Sequence, residues 1–516
     1  MENRTYKNHG LMTGIIFSIT LLILSFAGAA SATSAGNIDE AITAGYFDSI
    51  KDNGVELRQF FLELPKGGDL HNHLSGAIFA EEIIDIAANM NLSFDPQTGS
   101  LPWDKNASGL ISINNVYNNS TLYEIVVRDW SMKNYPWQDI SGHDKFFATF
   151  AEFSPAKNNS FMIEALRHRA EDENVIYIET MLSGTGNKPL KTDWNDNFSL
   201  MTKNISQDDI REQADIVAKT VDSYDRQSQA GSNVTVRYIL QVNRNMNKED
   251  VFSSMLLAFE SANRSDLVVG VNMVGPEDYY RARTDYMLHM KLLEYFHEKY
   301  PEVKITLHAG ELVSGLVPPQ DLRFHISEAI STGHASRIGH GVDIMWEHNS
   351  KGTMKQMAKQ KIPVEILLTS NEQILGIKGK EHPFPVYLKY GVPIVIATDD
   401  PGIERTDLTE QFARAAALYP DITYYSYKQF IRNSIEYSFV DGKSLFAETG
   451  EYEKPVFECT GFRMQLPALT NKCKTFLGEN KKADIQWELE KRLAEFENNI
   501  ALEHFTTNLR SCGQIW

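Results

Sequence analysis

Cysteine is almost missing from this chain. Only Cys459, Cys473 and Cys512 occur in 516 residues, all near the C-terminus and far in sequence from the polar motifs considered below. A zinc finger or a thiol nucleophile therefore has little to build on. In an exported chain two of the three could oxidise. Cys459–Cys473 closes the shorter loop, which leaves the third cysteine free or paired between chains. Positive charge is also in deficit. A formal net charge of -18 argues against a nucleic-acid polymer as partner, because phosphates would be repelled. It does not bear on a small neutral ligand. No G-x-G-x-x-G follows an apolar run, so the dinucleotide-binding signature is missing, and so are internal repeats and low-complexity linkers. What remains, 42% hydrophobic and 23% charged residues, is ordinary for a globular chain.

One long hydrophobic run is present. Arg4 and Lys7 precede an apolar stretch from Leu11 to about Ala30, which closes on Ala30-Ser31-Ala32. A basic start, an apolar centre and a small-x-small site predict a signal peptide over residues 1–32. The protein is then secreted or periplasmic, with no stable membrane anchor after cleavage. The run approaches membrane-spanning length, so an uncleaved anchor is the alternative. The small residues from Ala27 to Ala35 favour cleavage. Sequons such as Asn119-Ser120-Thr121 and Asn233-Val234-Thr235 matter only where the host glycosylates exported proteins.

Beyond residue 64, short runs rich in Val, Ile and Leu alternate with helical stretches. The predicted strands are Gly68–Leu74, Val175–Leu182, Val234–Val242, Leu267–Val274, Lys304–Ala309, Arg337–Val342, Pro363–Thr369 and Pro393–Thr398. Apolar runs of this kind suit strands covered on both faces. Eight strand–helix units predict an α/β fold, a (β/α)8 TIM barrel over residues 65–440. An open doubly wound sheet is the runner-up. Three stretches exceed a minimal barrel. Residues 33–64 form an N-terminal helical lead-in, with Ile38, Ala41, Ile42 and Phe47 on helical spacing. Residues 75–174 are a long insertion after the first strand, of the kind that builds a lid or cap. Residues 441–516 form an extended C-terminal helical tail in which Ile485, Leu489, Leu493, Phe496 and Ile500 follow helical spacing. That stripe predicts packing on the barrel exterior rather than a partner-binding face.

The chemistry collects at the ends of these runs. His71 and His73 in Asp69-Leu70-His71-Asn72-His73 are two apart, so on a strand both face the same side and can grip one cation. With 14 His in the chain the pair alone is weak, and a structural His pair is at least as good a reading. Thr306-Leu307-His308-Ala309-Gly310-Glu311 offers a ligand followed by an acid, or a turn with an exposed Glu. Arg337-Ile338-Gly339-His340-Gly341 places a His between glycines, either close to a ligand or in a plain strand-end turn. Ala397-Thr398-Asp399-Asp400-Pro401 puts two adjacent carboxylates after an apolar run, which are costly to bury unless paired or bound to metal. Three His and one Asp suit Zn2+. An open coordination position would bring the pKa of water toward neutrality, beside an acid and an unligated imidazole. Those are the parts for hydrolytic attack on an electrophilic carbon.

Together these motifs resemble the adenosine/AMP deaminase family of metal-dependent hydrolases. The matching pieces are Pro65-Lys66-Gly67-Gly68-Asp69-Leu70-His71-Asn72-His73-Leu74, His308-Ala309-Gly310-Glu311, Arg337-Ile338-Gly339-His340-Gly341 and Thr398-Asp399-Asp400-Pro401. Val274-Gly275-Pro276-Glu277 falls where that family has a glycine at the end of strand four. The signal peptide, lead-in and tail look most like the secreted, growth-factor-related adenosine deaminases. The resemblance implies one zinc per chain on His71, His73, His308 and Asp399. It implies that Glu311 protonates purine N1 as hydroxide attacks C6, and that His340 orients the hydroxide and takes its proton. Asp400 would bond N7, and the Gly275 N–H would meet N3. The implied reaction converts adenosine and 2′-deoxyadenosine to inosine and deoxyinosine plus ammonia.

One position departs from the pattern. The family usually has Asp two residues after the second His, against the ribose, and here that position is Ser75. Two residues past His73 on the same strand face, Ser75 is expected beside the sugar. A hydroxyl would not repel a phosphate as Asp would. An adenine nucleotide or an N6-substituted adenosine therefore stays open as substrate. So does a catalytically silent adenosine- or receptor-binding protein, although such a relative would be expected to lose Glu311 or a ligand. The oligomeric state, a homodimer included, is left open.

Overall fold

The apolar runs pair side by side as parallel strands. The computed structural model describes residues 38–513 apart from 105–106, 185, 230 and 460–468. Its main sheet has eight strands: β1 Gly67–His73, β2 Val175–Leu182, β3 Thr235–Asn243, β4 Val268–Val274, β5 Lys304–Ala309, β6 Arg337–His340, β7 Val364–Ile366 and β8 Ile394–Ile396. Their order in the sheet is their order in the chain, as strand–helix–strand units joined with one hand require. β2 is buried along its whole length, which is why its sequence is apolar rather than alternating. The first and last strands meet at their C-terminal ends. His73 N–H donates to Asp399 O at 3.0 Å, and Asp399 N–H donates to His71 O at 2.9 Å. The eight strands thus form a nearly closed (β/α)8 barrel, as expected.

Several strands stop earlier than their apolar runs. β1 ends at His73, β6 at His340 and β7 at Ile366. His340 and Asp399 adopt left-handed φ of 67° and 77°, a conformation that costs a non-glycine residue about 1–3 kcal/mol and clusters at functional sites. β7 stops although Leu367 and Leu368 follow it, and β1 runs on through His71 and Asn72, so hydrophobicity alone does not mark where a strand ends.

The extensions are helical. The lead-in forms α1 Ile38–Ile50 and α2 Gly54–Glu63, α2 opening on Asn53, whose side chain accepts from the Val55 and Glu56 N–H groups. The insertion after β1 includes α3, Gly142–Phe153. After β7 comes α4, Leu368–Leu375, and after β8 comes α5, Tyr424–Glu436. The tail holds α6 Asn471–Glu479 and α7 Lys481–Gly513. Ile485, Leu489, Leu493, Phe496 and Ile500 are all buried, against α1 and α5. The Phe496 ring lies 5.2 Å from that of Phe60. Buried ion pairs add to this contact, Lys428 with Glu497 at 2.6 Å and Arg432 with Glu490 at 2.6 Å. The tail packs on the barrel exterior, as its spacing predicts.

Cys459 and Cys473 are joined, with Cα atoms 4.7 Å apart and a sequence separation of 14. Chain-entropy arguments give a loop of that size about 3 kcal/mol. Cys459→Ser should lower unfolding free energy by about that amount in urea titrations. Equal stability of parent and variant under non-reducing conditions would show that the bridge contributes nothing. Among the described residues no helix is long and apolar enough to cross a membrane. The expected signal peptide, residues 1–32, lies outside the described residues.

Candidate active site

β1, β5 and β8 deliver His71, His73, His308 and Asp399 to one end of the barrel. His71 Nε2 is 3.0 Å from His308 Nε2, and His73 Nε2 is 3.1 Å from the same atom. Asp399 Oδ1 stands 3.4 Å from His71 Nε2 and 3.3 Å from His73 Nε2. His340 is near as well, its Nε2 3.8 Å from Asp399 Oδ2. Ligand atoms of His71, His308, His340 and Asp399 fall within 4.8 Å of one another, and His73, Asp399 and Asp400 make an overlapping group. All but His73 are buried.

The other ring nitrogens separate these imidazoles into two kinds. His71 Nδ1 faces Glu365 Oε2 at 2.6 Å, His73 Nδ1 faces Gln241 Oε1 at 3.1 Å, and His308 Nδ1 faces Asn272 Oδ1 at 3.0 Å. Each Nδ1 meets an acceptor and so carries the hydrogen. Each neutral ring then turns a bare Nε2 lone pair toward the others. Lone pairs at this distance repel unless a proton or a metal cation lies among them. Without a metal, hydrogen bonds to Asp399 and Glu365 overcome the cost of burial and push His71 up to about 10. His340 Nδ1 instead meets Asn371 Nδ2 at 2.9 Å, a donor, and its Nε2 has no hydrogen-bond partner. Burial brings His340 down to about 3, so it is neutral. The donor set and its outer partners are those of a metal-binding site.

Glu311 and Asp400 border the cluster. Burial first, then Asp399 and Glu277, push Glu311 well above the usual carboxylate range. Its Oε1 has no hydrogen-bond partner. Glu277 braces the turn that carries it, accepting from Gly310 N–H at 3.1 Å and Glu311 N–H at 2.8 Å while His325 Nδ1 lies 2.6 Å away. Asp400 is pushed up to about 8 by burial, resisted by His73 and reinforced by Asp399. Two glycines make room. A Cβ on Gly76 would fall 1.5 Å from Asp400 Oδ1, and one on Gly339 would fall 2.6 Å from His71 Cε1.

A cavity of about 240 Å³ opens over this cluster, lined by His73, Ser75, Gly275, Glu311 and Asp400 among others. Its far wall is Phe146, Phe147 and Phe150 of α3, from the insertion. Ser75 reaches the cavity by another route than expected. β1 stops at His73 and Leu74–Ala77 is a single helical turn. Strand alternation therefore does not apply to Ser75, and the tight turn carries it to the rim.

Sequence reasoning missed the residues behind the cluster: Gln241, Asn272, Glu365, Asn371 and His382. A signal existed for three of them. Gln241, Asn272 and Glu365 each interrupt an apolar strand run, and a buried polar group needs a partner. Glu365 is held in turn by Arg337 Nε at 2.5 Å. Burial opposes its charge, but Arg337 and His71 bring it down to about 2. Asn371 and His382 lie outside the strands, and no local pattern marks them.

Comparison with known proteins agrees with this geometry. The family described as adenosine deaminase matches residues 196–446. The chain is similar to an adenosine deaminase of Vibrio vulnificus, 24% identical over 366 residues, covering 70% of this chain and 89% of that protein. It is also similar to an adenosine deaminase of Aliivibrio fischeri, 32% identical over 143 residues, covering 28% of this chain and 39% of that protein. Among solved structures, an adenine deaminase from Arthrobacter aurescens matches with a TM-score of 0.50 at 16% identity, over 73% of this chain and 94% of that one, a likeness of fold. A barrel that gathers a buried His and Asp metal-binding cluster, and that is similar to an adenosine deaminase over 70% of this chain, is that of an adenosine deaminase-like, metal-dependent hydrolase.

Proposed function

We propose that this enzyme hydrolyses adenosine and 2′-deoxyadenosine to inosine and deoxyinosine with release of ammonia, holding one zinc on His71, His73, His308 and Asp399. Zinc bonds to nitrogen and carboxylate oxygen of about 2.0–2.2 Å span tetrahedral edges of roughly 3.3–3.6 Å. His308 Nε2 at 3.0 and 3.1 Å from the other two imidazoles, and Asp399 Oδ1 at 3.4 and 3.3 Å from the same two rings, lie at or just below those edges and support that fit. His340 is left out of the set because its Nδ1 faces the Asn371 amide nitrogen rather than an acceptor, unlike the Nδ1 atoms of the other three rings. Bound there, zinc supplies a strong nucleophile from water at neutral pH.

The observation that carries the substrate reading is the pattern of donors around the cavity. Purine N1, N3 and N7 are all acceptors. Glu311 and Asp400, both raised toward their neutral forms, and the Gly275 N–H are three donors on its lining. Donation from Glu311 to N1 makes C6 electrophilic. No Lys or Arg is among the described lining residues, so a 5′-phosphate would find no cationic side chain there to pair with. That favours a nucleoside over a nucleotide. The cavity is also small beside the roughly 300–1,000 Å³ of drug-sized ligand sites. Incubation with adenosine, deoxyadenosine, AMP and N6-methyladenosine, followed by adenine absorbance and ammonia release, tests the reading. Adenosine and deoxyadenosine should turn over fastest, and AMP or N6-methyladenosine as the best substrate would overturn it.

Ser75 is read as the residue beside the sugar. Ser75→Asp should change the preference for adenosine over 5′-deoxyadenosine while metal content stays at the parent level. A variant that alters the rates on both by the same factor would remove Ser75 from the 5′ subsite.

We also propose that the chain is exported after cleavage near Ala32. The signal-peptide pattern of residues 1–32 supports this, and so does the Cys459–Cys473 bridge, since disulfides persist in oxidising compartments. The N-terminal sequence of protein recovered outside the cytoplasm checks it. Retention of Met1 in membrane-bound material would favour an anchor.

A further inference from the structure

Behind His340 lies a chain of hydrogen bonds that ends on the backbone. The Phe384 N–H donates to His382 Nδ1 at 3.1 Å. His382 must then carry its hydrogen on Nε2, which lies 3.0 Å from Asn371 Oδ1. That fixes the amide, so Asn371 Nδ2 donates to His340 Nδ1 at 2.9 Å. All three side chains are buried, Asn371 and His340 completely. Glu311 Oε1 stands off at 3.7 Å from the same His340 nitrogen, beyond hydrogen-bond range. Every donor and acceptor in the chain has one assignment, and the backbone amide sets it. The three imidazoles assigned to the metal have the opposite arrangement, with Nδ1 facing an acceptor.

We infer that Asn371 and His382 are positioning residues that lock His340 as the Nε2–H tautomer, so that His340 serves the reaction as a hydrogen-bond donor to the attacking oxygen. In that tautomer Nε2 has no lone pair, so the neutral ring cannot take the proton of that oxygen there. It can hold the oxygen's orientation and stabilise charge that develops on it. The same locking keeps His340 from competing as a fourth imidazole ligand. The inference rests on the deaminase reading above only for the identity of the oxygen.

The test uses metal-loaded enzyme with 15N-labelled histidine, the His340 signals being assigned by their loss in His340→Gln. Ring-nitrogen shifts should report a protonated Nε2 and a bare Nδ1 at His340. Asn371→Asp keeps the shape but turns the donor into an acceptor. It should reverse those shifts and lower kcat by up to about 10⁴-fold, the loss a tautomer error causes in a Ser-His-Asp triad, with KM and metal content near the parent values. A His340 protonated on Nδ1 in the parent, or a reversed tautomer with kcat within a few-fold, would overturn the inference. Should Asn371→Asp not fold, the pair His382→Gln and His382→Leu decides. Gln retains an ε-nitrogen donor for Asn371 and should keep most of kcat, whereas Leu should lose it, and equal kcat in the two would overturn the assignment. A parent that releases no ammonia from adenosine would defeat the proposed substrate, while the ring-nitrogen shifts would still decide the tautomer.

Discussion

Glu311→Gln should retain its metal and still bind a purine nucleoside, yet its turnover number should fall by about 10²–10⁴-fold, the worth of a general acid. Glutamine keeps the shape of the side chain and can still donate a hydrogen bond, but it cannot transfer a proton. The wild-type carboxyl is suited to transfer because burial and the charges of Asp399 and Glu277 push it well above the usual carboxylate range and so favour its neutral form, while a bound cation works the other way. Its backbone N–H is fixed by Glu277 at 2.8 Å, so the substitution leaves the turn in place. Metal analysis, nucleoside binding and single-turnover rates on one preparation check all three parts. A Gln variant within a few-fold of the parent would end the proton-donor role.

Removing a donor to the metal should have the other large effect. His308→Ala and Asp399→Ala should each lose bound metal and, with it, measurable deamination. His308 lies at the centre of the cluster, within 3.1 Å of both other imidazoles. Asp399 would bring the negative charge that pairs with the proposed cation. Its carboxyl, despite burial, is held well below the usual range by His71 and His73. Loss of the outer partner should be milder. Asn272→Ala leaves His308 in place without its orienting acceptor, and about 10–100-fold weaker metal binding is expected. Metal stoichiometry after dialysis ranks the three. Full metal content in both ligand variants would sink the assignment.

The barrel was legible because eight apolar runs are spaced along the chain with helical stretches between them. So were the strand-end residues, since a His or Asp that closes an apolar run stands out against it. The strand ends themselves were not legible. His340 and Asp399 take left-handed backbone angles that no hydropathy pattern encodes, and the turn after His73 moved Ser75 off the strand on which alternation had placed it. The aromatic wall of Phe146, Phe147 and Phe150 was hidden for another reason. Its residues look like the buried face of any amphipathic helix, and only the docking of α3 over the barrel mouth turns that face toward the cavity. Asn371 and His382 were invisible because their role lies in hydrogen-bond direction, a property of three side chains and one amide together.

The seam between β1 and β8 has a consequence for how the molecule is made. His71 and His73 are synthesised early, but their backbone partner and fellow ligand Asp399 emerges 328 positions after His71. A contact so distant in sequence carries a high loop-closure cost and forms late. For most of translation the chain can offer at best a partial set of donors, too few to hold an ion as the finished site does. On the proposed ligand set, a metal would meet all four donors only once the last strand has closed the ring, and its loading would then report that folding has reached its end.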